Sequence, residues 1–211
     1  MAYIGVLMNL SEGEPLYIAG LASILVGAIG GLNQTKIKRL LAYSGIGHIG
    51  FMLIGVGVSS IESIQATIIY MIIYIVMTIS AFTIALNMTK IAELRGISRR
   101  NGVLGLTLGV LLMSIAGVPP MGGFYSKYLI LQSAIEQNLY VIVAIMLSVV
   151  SGFYYIRIIR YIYFEDQAEI TAISDILSKN KAIILGITTY IMLTIMIYPN
   201  LLQELTLLIK V

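Results

Sequence analysis

The stretch from Val103 to Ile135, VLGLTLGVLLMSIAGVPPMGGFYSKYLILQSAI, decides the fold of this chain. It carries one formal charge, on Lys127, and it is far longer than the roughly 20 apolar residues that cross a bilayer as a single helix. Residues that weaken or end helices occupy its middle: Gly117, Pro119, Pro120, Gly122 and Gly123. Because proline lacks an amide donor and glycine disfavours the helix, we predict a membrane helix broken at its centre, with Lys127 one turn beyond the break.

Composition is typical of a polytopic membrane protein. Of the 211 residues, 59% are hydrophobic and only 11% are charged, whereas a soluble domain carries roughly 25% charged residues. The net charge of +3 comes mostly from residues between the apolar segments, so no basic face for nucleic acid is predicted. The chain has no cysteine and one histidine, which argues against disulfides, iron–sulfur clusters and a metal centre. We therefore expect this chain to bind no cofactor.

Six apolar segments predict an all-α membrane protein with six transmembrane helices, of which the fourth is discontinuous. The segments run over residues 15–31, 40–58, 61–88, 103–135, 139–162 and 182–202. Before the last segment, the stretch EDQAEITAISDILSKNK (165–181) has apolar residues at helical spacing. It predicts either an amphipathic helix on the inner membrane surface or an ordinary polar connector.

The charges between the segments predict the orientation in the membrane. Most lysines and arginines lie in the first, third and fifth connections: Lys36, Lys38, Arg39, Lys90, Arg95, Arg99, Arg100, Arg157, Arg160, Lys179 and Lys181. Short connections that are rich in lysine and arginine stay on the cytoplasmic or matrix side. The same three connections must share a side because an even number of crossings separates them. We therefore predict that both termini face the external side.

Lys127 is the first candidate for chemistry. A lysine at the centre of a bilayer costs about 2.5–3.5 kcal/mol on insertion scales, so it is retained where it has a function, often in an ion or proton pathway. The alternative is a lysine that extends its ammonium to the membrane surface. Lys127 lies about 12 Å from the end of its segment at 1.5 Å per residue, which argues against that alternative.

His48 is the second candidate, inside LLAYSGIGHIGFML (40–53). A histidine at membrane depth titrates near neutrality and suits a proton relay. Ser44 lies one turn before it, and Tyr43 lies next to Ser44 towards the inner end. The alternative is a neutral imidazole that donates a packing hydrogen bond to a neighbouring helix. For Arg157, anchoring at the membrane surface is a sufficient explanation.

Two stretches, in this order, resemble one family. GGLNQTKIKRLLAYSGIGHIGFMLIGV (30–56) is similar to a hallmark of the antiporter-like subunits of respiratory complex I and of the related multi-subunit Na⁺/H⁺ antiporters. SIAGVPPMGGFYSKYLIL (114–131) resembles their second discontinuous helix. Members of the family carry either lysine or glutamate at the position of Lys127. Lysine after GFYS, together with AYSGIGH, most resembles the subunit 2 branch.

The resemblance implies a fold of fourteen transmembrane helices with two inverted five-helix repeats, each of which contains a broken helix and supplies half a proton channel. Residues 15–162 match the second repeat, and residues 182–211 match the final helix and tail. An external tail (1–14) precedes the repeat, and a connector (163–181) follows it. A split gene, a partial sequence and a degenerate remnant would each explain the missing first repeat. The initial methionine and the retention of Lys127 and His48 favour the split gene, with a separate chain that supplies the first repeat.

The resemblance also implies a function. The chain would be a non-redox, proton-translocating subunit in the membrane arm of NADH:ubiquinone oxidoreductase, in the mitochondrial inner membrane, with its termini towards the intermembrane space. Lys127 would be the central protonatable site, and His48, with Ser44 and Tyr43, would relay protons between it and the outer side. The partners would be other membrane-arm subunits and lipids. A subunit of a cation/proton antiporter and a structural remnant without proton traffic are the alternatives.

Overall fold

The computed structural model of the chain describes residues 13–86, 88–166 and 179–198. Within these ranges the regular structure consists of helices, which confirms the predicted all-α class. The helices are α1 (Glu14–Leu32), α2 (Ile37–Val58), α3 (Ile61–Ala85), α4 (Ile97–Arg100), α5 (Gly102–Ala116), α6 (Gly122–Ser133), α7 (Asn138–Phe164) and α8 (Lys179–Ile197), with a 3₁₀ turn at Ile91–Leu94.

Four of the described helices are long and apolar enough to cross a membrane: α1, α2, α3 and α7. Helix α5 is apolar but has only 15 residues, and α6 has 12. Six crossings would require that α5 and α6 cross the bilayer together and that α8 crosses it as well, so that count stays a prediction. Most of the predicted connector (163–181) and of the N-terminal tail (1–14) lies outside the described residues, as do residues 199–211.

Three predicted segment boundaries differ by three residues from the helices in the structure. Helix α2 begins at Ile37 rather than at Leu40, α3 ends at Ala85 rather than at Met88, and α8 begins at Lys179 rather than at Ala182. The first difference arises because Lys38 and Arg39 lie within the first turn of α2. Hydropathy marks where polar residues stop, whereas the backbone hydrogen bonds of a helix continue through them.

Side chains in the connections mark where two of the helices begin. At the start of α3, the Ser60 hydroxyl accepts a hydrogen bond from the amide of Ser63 at 3.1 Å, and the Ser63 hydroxyl accepts one from the amide of Ser60 at 3.0 Å. At the start of α5, the Asn101 side chain accepts a hydrogen bond from the amide of Leu104 at 3.1 Å. These contacts satisfy amides that have no partner within the helix.

Helices α1 and α2 form a closely packed antiparallel pair. A Cβ atom on Gly27 of α1 would lie 2.7 Å from the backbone nitrogen of Gly47 in α2, so only glycine fits at this crossing. Helix α7 packs along both α1 and α5, while α6 packs against α3 and α2. Two clusters of buried apolar residues fill the interior between these helices.

The first, third and fifth connections meet at one end of the bundle. The amide of Ile37 donates a hydrogen bond to the carbonyl of Thr89 at 3.2 Å, and the amide of Ile91 donates one to the carbonyl of Thr35 at 2.9 Å. Arg95, in the third connection, pairs with Glu165 at the end of α7 at 2.8 Å. The end of the bundle where these three connections lie is called the basic end below.

Candidate functional site

Helix α5 ends in a glycine whose backbone turns the chain out of the helix. Gly117 has φ 80°, a conformation that costs other residues steric strain. Its amide donates to the carbonyl of Ser114 at 3.0 Å, and the amide of Val118 donates to the carbonyl of Met113 at 3.0 Å. These two bonds form a Schellman motif, which satisfies two of the last carbonyls of the helix. Other carbonyls at this end of α5 need partners from outside the motif.

Helix α6 begins five residues later and packs back on the end of α5. The amide of Gly123 donates to the fully buried hydroxyl of Ser114 at 3.1 Å. A Cβ atom on Gly123 would collide with the carbonyl group of Ser114. Glycine at this position therefore lets the start of one helix lie directly against the end of the other. The segment between them contains Pro119 and Pro120 and has no helical structure.

Lys127, on α6, extends its ammonium back to the end of α5. The side chain is only 6% exposed. Its Nζ atom donates to the carbonyl of Ala116 at 2.9 Å and to the hydroxyl of Ser148 on α7 at 3.2 Å. The ammonium also lies 5.4 Å from the ring centroid of Phe51, within the range of a cation–π contact. No carboxylate among residues 13–86, 88–166 and 179–198 pairs with it.

The surroundings of Lys127 stabilise a positive charge with dipoles rather than with an anion. The C-terminus of a helix carries a partial negative charge of roughly half an electron, and Ala116 is the last residue of α5. An ammonium has three donors, of which two are used by Ala116 and Ser148. The site can therefore hold the charged lysine without neutralising it, and one donor is left to face other groups.

His48 lies in the same interior, on α2. It is 5% exposed, and its Nδ1 atom is 2.7 Å from the hydroxyl of Tyr70 on α3. The ring also lies against that of Tyr74, with centroids 5.1 Å apart. This hydrogen bond to a neighbouring helix is what the packing interpretation of His48 requires, and it also positions the ring as a relay would require. The contact by itself agrees with both hypotheses.

A small cavity connects the predicted site residues. It has a volume of about 20 Å³ and is lined by residues of α1, α2, α5, α6 and α7: Ile24, Gly27, Ala28, Ser44, Gly47, His48, Phe51, Ile115, Lys127, Ser151, Tyr154 and Tyr155. A cavity needs about 10–15 Å³ to hold one water molecule, together with polar partners. The cavity meets both conditions, so it can hold a water between the side chains of Lys127, His48 and Ser44.

The structure brings together three of the four predicted protonatable or relay residues. Lys127, His48 and Ser44 line the cavity, and the buried Ser44 hydroxyl is hydrogen-bonded to that of Tyr155 on α7. Tyr43 lies elsewhere, because its ring packs against Gly30 of α1. Neighbouring residues on a helix point about 100° apart, so Tyr43 and Ser44 face different helices.

Lys127 also borders a larger cleft between α6 and α7. The cleft has a volume of about 580 Å³, and exposed apolar side chains such as Tyr128, Ile145 and Val149 form most of its walls. Gly117 and Ser148 also line this cleft. Lys127 thus borders both the small cavity and the mostly apolar cleft.

Five residues of the site are absent from the sequence prediction. They are Ser148, Ser151, Tyr154 and Tyr155 on α7, and Tyr70 on α3. Arg157 was predicted only to anchor the helix at the membrane surface. In the structure its guanidinium instead donates to the carbonyls of Leu32 and Gln34. A signal that could have marked α7 is its polar side chains at positions 148, 151 and 155, which lie on one face of the helix.

The described residues contain no group of three or more histidine, cysteine, aspartate or glutamate side chains that could hold a metal ion. The arrangement offers instead a buried cation, an imidazole, several hydroxyls and space for water. Groups of these types can exchange protons with one another and with water.

Known proteins that resemble this chain are membrane subunits of respiratory enzymes. NADH-ubiquinone oxidoreductase chain 2 of Metridium senile is 45% identical over 202 residues, which cover 90% of this chain and 52% of the relative. NADH-quinone oxidoreductase subunit N of Pelagibacter ubique is 38% identical over 177 residues, which cover 79% of this chain and 38% of the relative. The chain thus spans about half, or less, of the length of these relatives.

A chain in the structure of respiratory complex I from Thermus thermophilus with bound aureothin has the same fold. Its TM-score is 0.75 with 27% sequence identity, and the match covers 89% of this chain and 44% of that one. The family described as NADH:quinone oxidoreductase/Mrp antiporter, transmembrane, matches residues 5–153. That match covers more than half of the sequence, and the chain belongs to this family of transmembrane proteins.

Proposed function

We propose that this chain is the C-terminal part of subunit 2 in the membrane arm of NADH:ubiquinone oxidoreductase and contributes a proton half-channel with Lys127 at its centre. One observation carries the proposal: the buried Lys127 ammonium binds the end of α5 beside a cavity that has room for water and is shared with His48. The identity of the relatives supports the choice of enzyme. The oxidation of NADH and the reduction of quinone would take place in other subunits.

The half-channel works because the site supports both protonation states of the lysine. When Lys127 is charged, the carbonyl of Ala116 and the hydroxyl of Ser148 accept its hydrogen bonds. When it gives its proton to water in the cavity, the neutral amine no longer has an unpaired charge to bury. Moving one charge through a potential of 100 mV takes about 2.3 kcal/mol. Changes in the hydration of the cavity would shift the equilibrium between the charged and the neutral form of Lys127.

The proposal includes the arrangement in the membrane. Helices α5 and α6 together form one discontinuous crossing, α8 forms the sixth, and the basic end faces the matrix. A separate chain supplies the first repeat, in a complex with other membrane-arm subunits and lipids of the mitochondrial inner membrane. Intact-mass measurement of this polypeptide in the isolated complex tests that partner: one mass that covers both repeats would contradict it.

The decisive experiment replaces Lys127 by glutamine, which keeps a donor for Ala116 but cannot carry a proton. Proton uptake and NADH oxidation are measured in sealed vesicles that contain the assembled complex. We expect assembly to persist and the number of protons moved per NADH to fall. The matched control is Lys38→Ala, an exposed lysine at the basic end. Unchanged pumping in an assembled Lys127→Gln complex would refute the half-channel and leave a structural role.

A subunit of a cation/proton antiporter is the second candidate, because the family description names both kinds of complex. The two candidates differ in their partners. Gentle solubilisation followed by mass spectrometry should recover NADH-oxidising and iron–sulfur subunits with this chain. Recovery of antiporter-type membrane subunits alone would establish the second candidate instead.

A further inference from the structure

We propose that Ser114 is a positioning residue for Lys127: its hydroxyl binds the start of α6 to the end of α5 and thereby keeps the lysine ammonium at the carbonyl of Ala116. This inference rests on the proposed half-channel and adds to it a residue that carries no proton. Three features support it: the missing local cap of α6, two thioether sulfurs that orient the hydroxyl, and two hydrogen bonds that cross the gap between α5 and α6.

The first feature is that α6 lacks a cap of its own. Its N-cap residue is Met121, whose side chain makes no capping hydrogen bond, whereas serine, threonine, aspartate or asparagine usually supply that acceptor. The amide of Gly123, the second residue of α6, donates instead to the hydroxyl of Ser114 at 3.1 Å, nine residues earlier in the chain. The start of α6 therefore depends on α5 for a bond that a local cap would otherwise supply.

The second feature is the unusual orientation of the Ser114 hydroxyl. The buried hydroxyl of Ser80 shows the common arrangement, since it donates at 3.0 Å to the carbonyl four residues earlier in its own helix. Among the described residues, the acceptors of the Ser114 hydroxyl are instead the Sδ atoms of Met77 and Met192, each at 3.5 Å. A thioether is a weak acceptor. The hydroxyl thus gives up a carbonyl of α5 and keeps its oxygen on the amide of Gly123.

The two methionines come from helices that pack on both sides of the gap. Met77 lies on α3 and Met192 on α8, and each of these helices contacts both α5 and α6. A Cβ atom on Gly123 would lie 3.2 Å from the sulfur of Met77, and one on Gly122 would lie 3.5 Å from that of Met192. Both sulfurs therefore border the start of α6 as well as the hydroxyl. In this arrangement, α3 and α8 hold the hydroxyl in the orientation that binds α6.

The third feature is a reciprocal pair of hydrogen bonds across the gap. Ser114 of α5 accepts from Gly123 of α6 at 3.1 Å, and Lys127 of α6 donates to Ala116 of α5 at 2.9 Å. Gly123 and Lys127 are about one turn apart, and Ser114 and Ala116 lie in the last turn of α5. Both bonds join the same two helical turns, so a movement that breaks one bond lengthens the other.

The burial of Ser114 makes its hydroxyl difficult to replace. The residue is 0% exposed, and it lines neither the small cavity nor the larger cleft at Lys127. Without the hydroxyl, the amide of Gly123 would be left buried without an acceptor, which is unfavourable. A shift of α6 away from α5 would relieve this and would carry Lys127 away from Ala116.

The test removes each of the two bonds separately and together. Ser114→Ala removes the acceptor of one bond, and Lys127→Met removes the donor of the other with a side chain of similar length. Ser80→Ala is the matched control, because Ser80 is also buried and its hydroxyl bonds within its own helix. Hydrogen–deuterium exchange of the segment Gly122–Ser126 is measured on the whole complex, and protons moved per NADH are measured in sealed vesicles.

We expect Ser114→Ala and Lys127→Met each to lower the protection of Gly122–Ser126. The double variant should lose little more protection than either single variant, because both bonds close the same gap. Ser114→Ala should also lower the number of protons moved per NADH, although serine carries no charge. Ser80→Ala should keep the protection and the transport of the unchanged complex.

A second variant tests the two sulfurs. Leucine in place of methionine keeps an apolar side chain of similar size but offers no acceptor. In Met77→Leu/Met192→Leu the hydroxyl of Ser114 should therefore turn to a carbonyl of α5, and the protection of Gly122–Ser126 should fall as it does in Ser114→Ala. Unchanged protection would overturn the role of the two methionines.

The outcomes separate this inference from the proposed function. If Lys127→Gln lowers transport but Ser114→Ala behaves like Ser80→Ala, the half-channel stands and the positioning role of Ser114 is wrong. Additive losses of protection in the double variant would also overturn it, because the two bonds would then act independently. If Lys127→Gln leaves transport unchanged, the half-channel fails, and the role of Ser114 in transport fails with it.

Discussion

The ammonium of Lys127 donates a hydrogen bond to the carbonyl of Ala116 at 2.9 Å, across the gap between α6 and α5. Ala116 is the last residue of α5, where the carbonyls lack partners within the helix. The lysine of one half-helix thus completes the hydrogen bonding of the other. As a result, the geometry of the gap and the protonation of Lys127 are linked, and changes to either should affect both.

The substitution Gly117→Ala should disturb both the geometry of the gap between α5 and α6 and the protonation of Lys127. Alanine with φ near 80° costs about 1–2 kcal/mol, and the new Cβ would lie 2.9 Å from the Cδ and Nζ atoms of Lys127. We expect a lower thermal midpoint of the complex and reduced proton transport. Gly152→Ala is the matched control, because its Cβ would have no heavy atom within 4 Å. Equal midpoints for the two variants would contradict the strained position of Gly117.

Ser148→Ala should weaken the hold on the Lys127 side chain. It removes an acceptor 3.2 Å from the ammonium, and a hydrogen bond to a charged group contributes about 1.5–3 kcal/mol. We expect less proton transport with an intact complex. The control is Ser133→Ala, whose hydroxyl donates to the carbonyl of Ile130 within its own helix. Transport equal to that of the control would show that Ser148 does not position the lysine.

The pair formed by His48 and Tyr70 is best tested by a double-mutant cycle. Tyr70→Phe removes the partner 2.7 Å from the imidazole Nδ1, and a buried polar atom without a partner costs about 1–3 kcal/mol. We expect His48→Phe to make the second substitution nearly harmless to the stability of the complex. Additive effects on the thermal midpoint would mean that the two side chains do not interact.

In the same series, proton transport separates the two hypotheses for His48. A relay role predicts that His48→Phe lowers the number of protons moved per NADH even where assembly is complete. A packing role predicts that transport stays normal while only the thermal midpoint falls. The isolated Tyr70→Phe variant serves as the comparison, because it removes the hydrogen bond but keeps the imidazole.

Arg157→Lys should destabilise the junction of α1 and α2. The guanidinium holds the carbonyls of Leu32 and Gln34 at the same time, a geometry that a single ammonium does not reproduce. We expect a loss of about 1.5–3 kcal/mol, measured as a lower thermal midpoint. Arg160→Lys is the control, because Arg160 is exposed and its ion pair with Glu165 should contribute little. A larger effect at Arg160 would contradict this assignment.

Glu93 should make the third connection sensitive to pH. Burial raises the pKa of its carboxyl, but hydrogen bonds from the hydroxyl of Thr89 and from the amides of Lys90 and Thr89 outweigh this and lower the pKa below its ordinary value of 4.5. Because the folded pKa is the lower one, the stabilisation is present above pH 4.5 and is lost as the pH falls through the folded value.

Hydrogen–deuterium exchange of the segment Thr89–Arg95 tests this. Near neutral pH, the Glu93→Gln variant should show less protection than the unchanged protein, and the difference should shrink below pH 4.5. Protection is corrected for the intrinsic dependence of exchange on pH. A difference that is the same at both pH values would mean that the ionised carboxylate does not stabilise this segment.

Much of the fold follows from local features of the sequence. Hydropathy predicts helices near α1, α2, α3 and α7, because a long apolar stretch satisfies its backbone in a membrane only as a helix. The stretch from Gly117 to Gly123 predicts an interruption, and α5 ends at Ala116 and α6 begins at Gly122. The spacing of Ser44 and His48, one turn apart, predicts that both face the same side of α2.

The sequence by itself determined the class of protein and the family, and it placed one lysine and one histidine within apolar segments. Only the tertiary structure decided which groups they meet: the carbonyl of Ala116 and the hydroxyls of Ser148, Tyr70 and Tyr155. The physical reason is the distance along the chain over which each signal acts. Hydropathy and helical spacing act over a few residues, whereas Ser44 and Tyr155 are 111 residues apart in the chain and meet only because α2 and α7 border the same cavity.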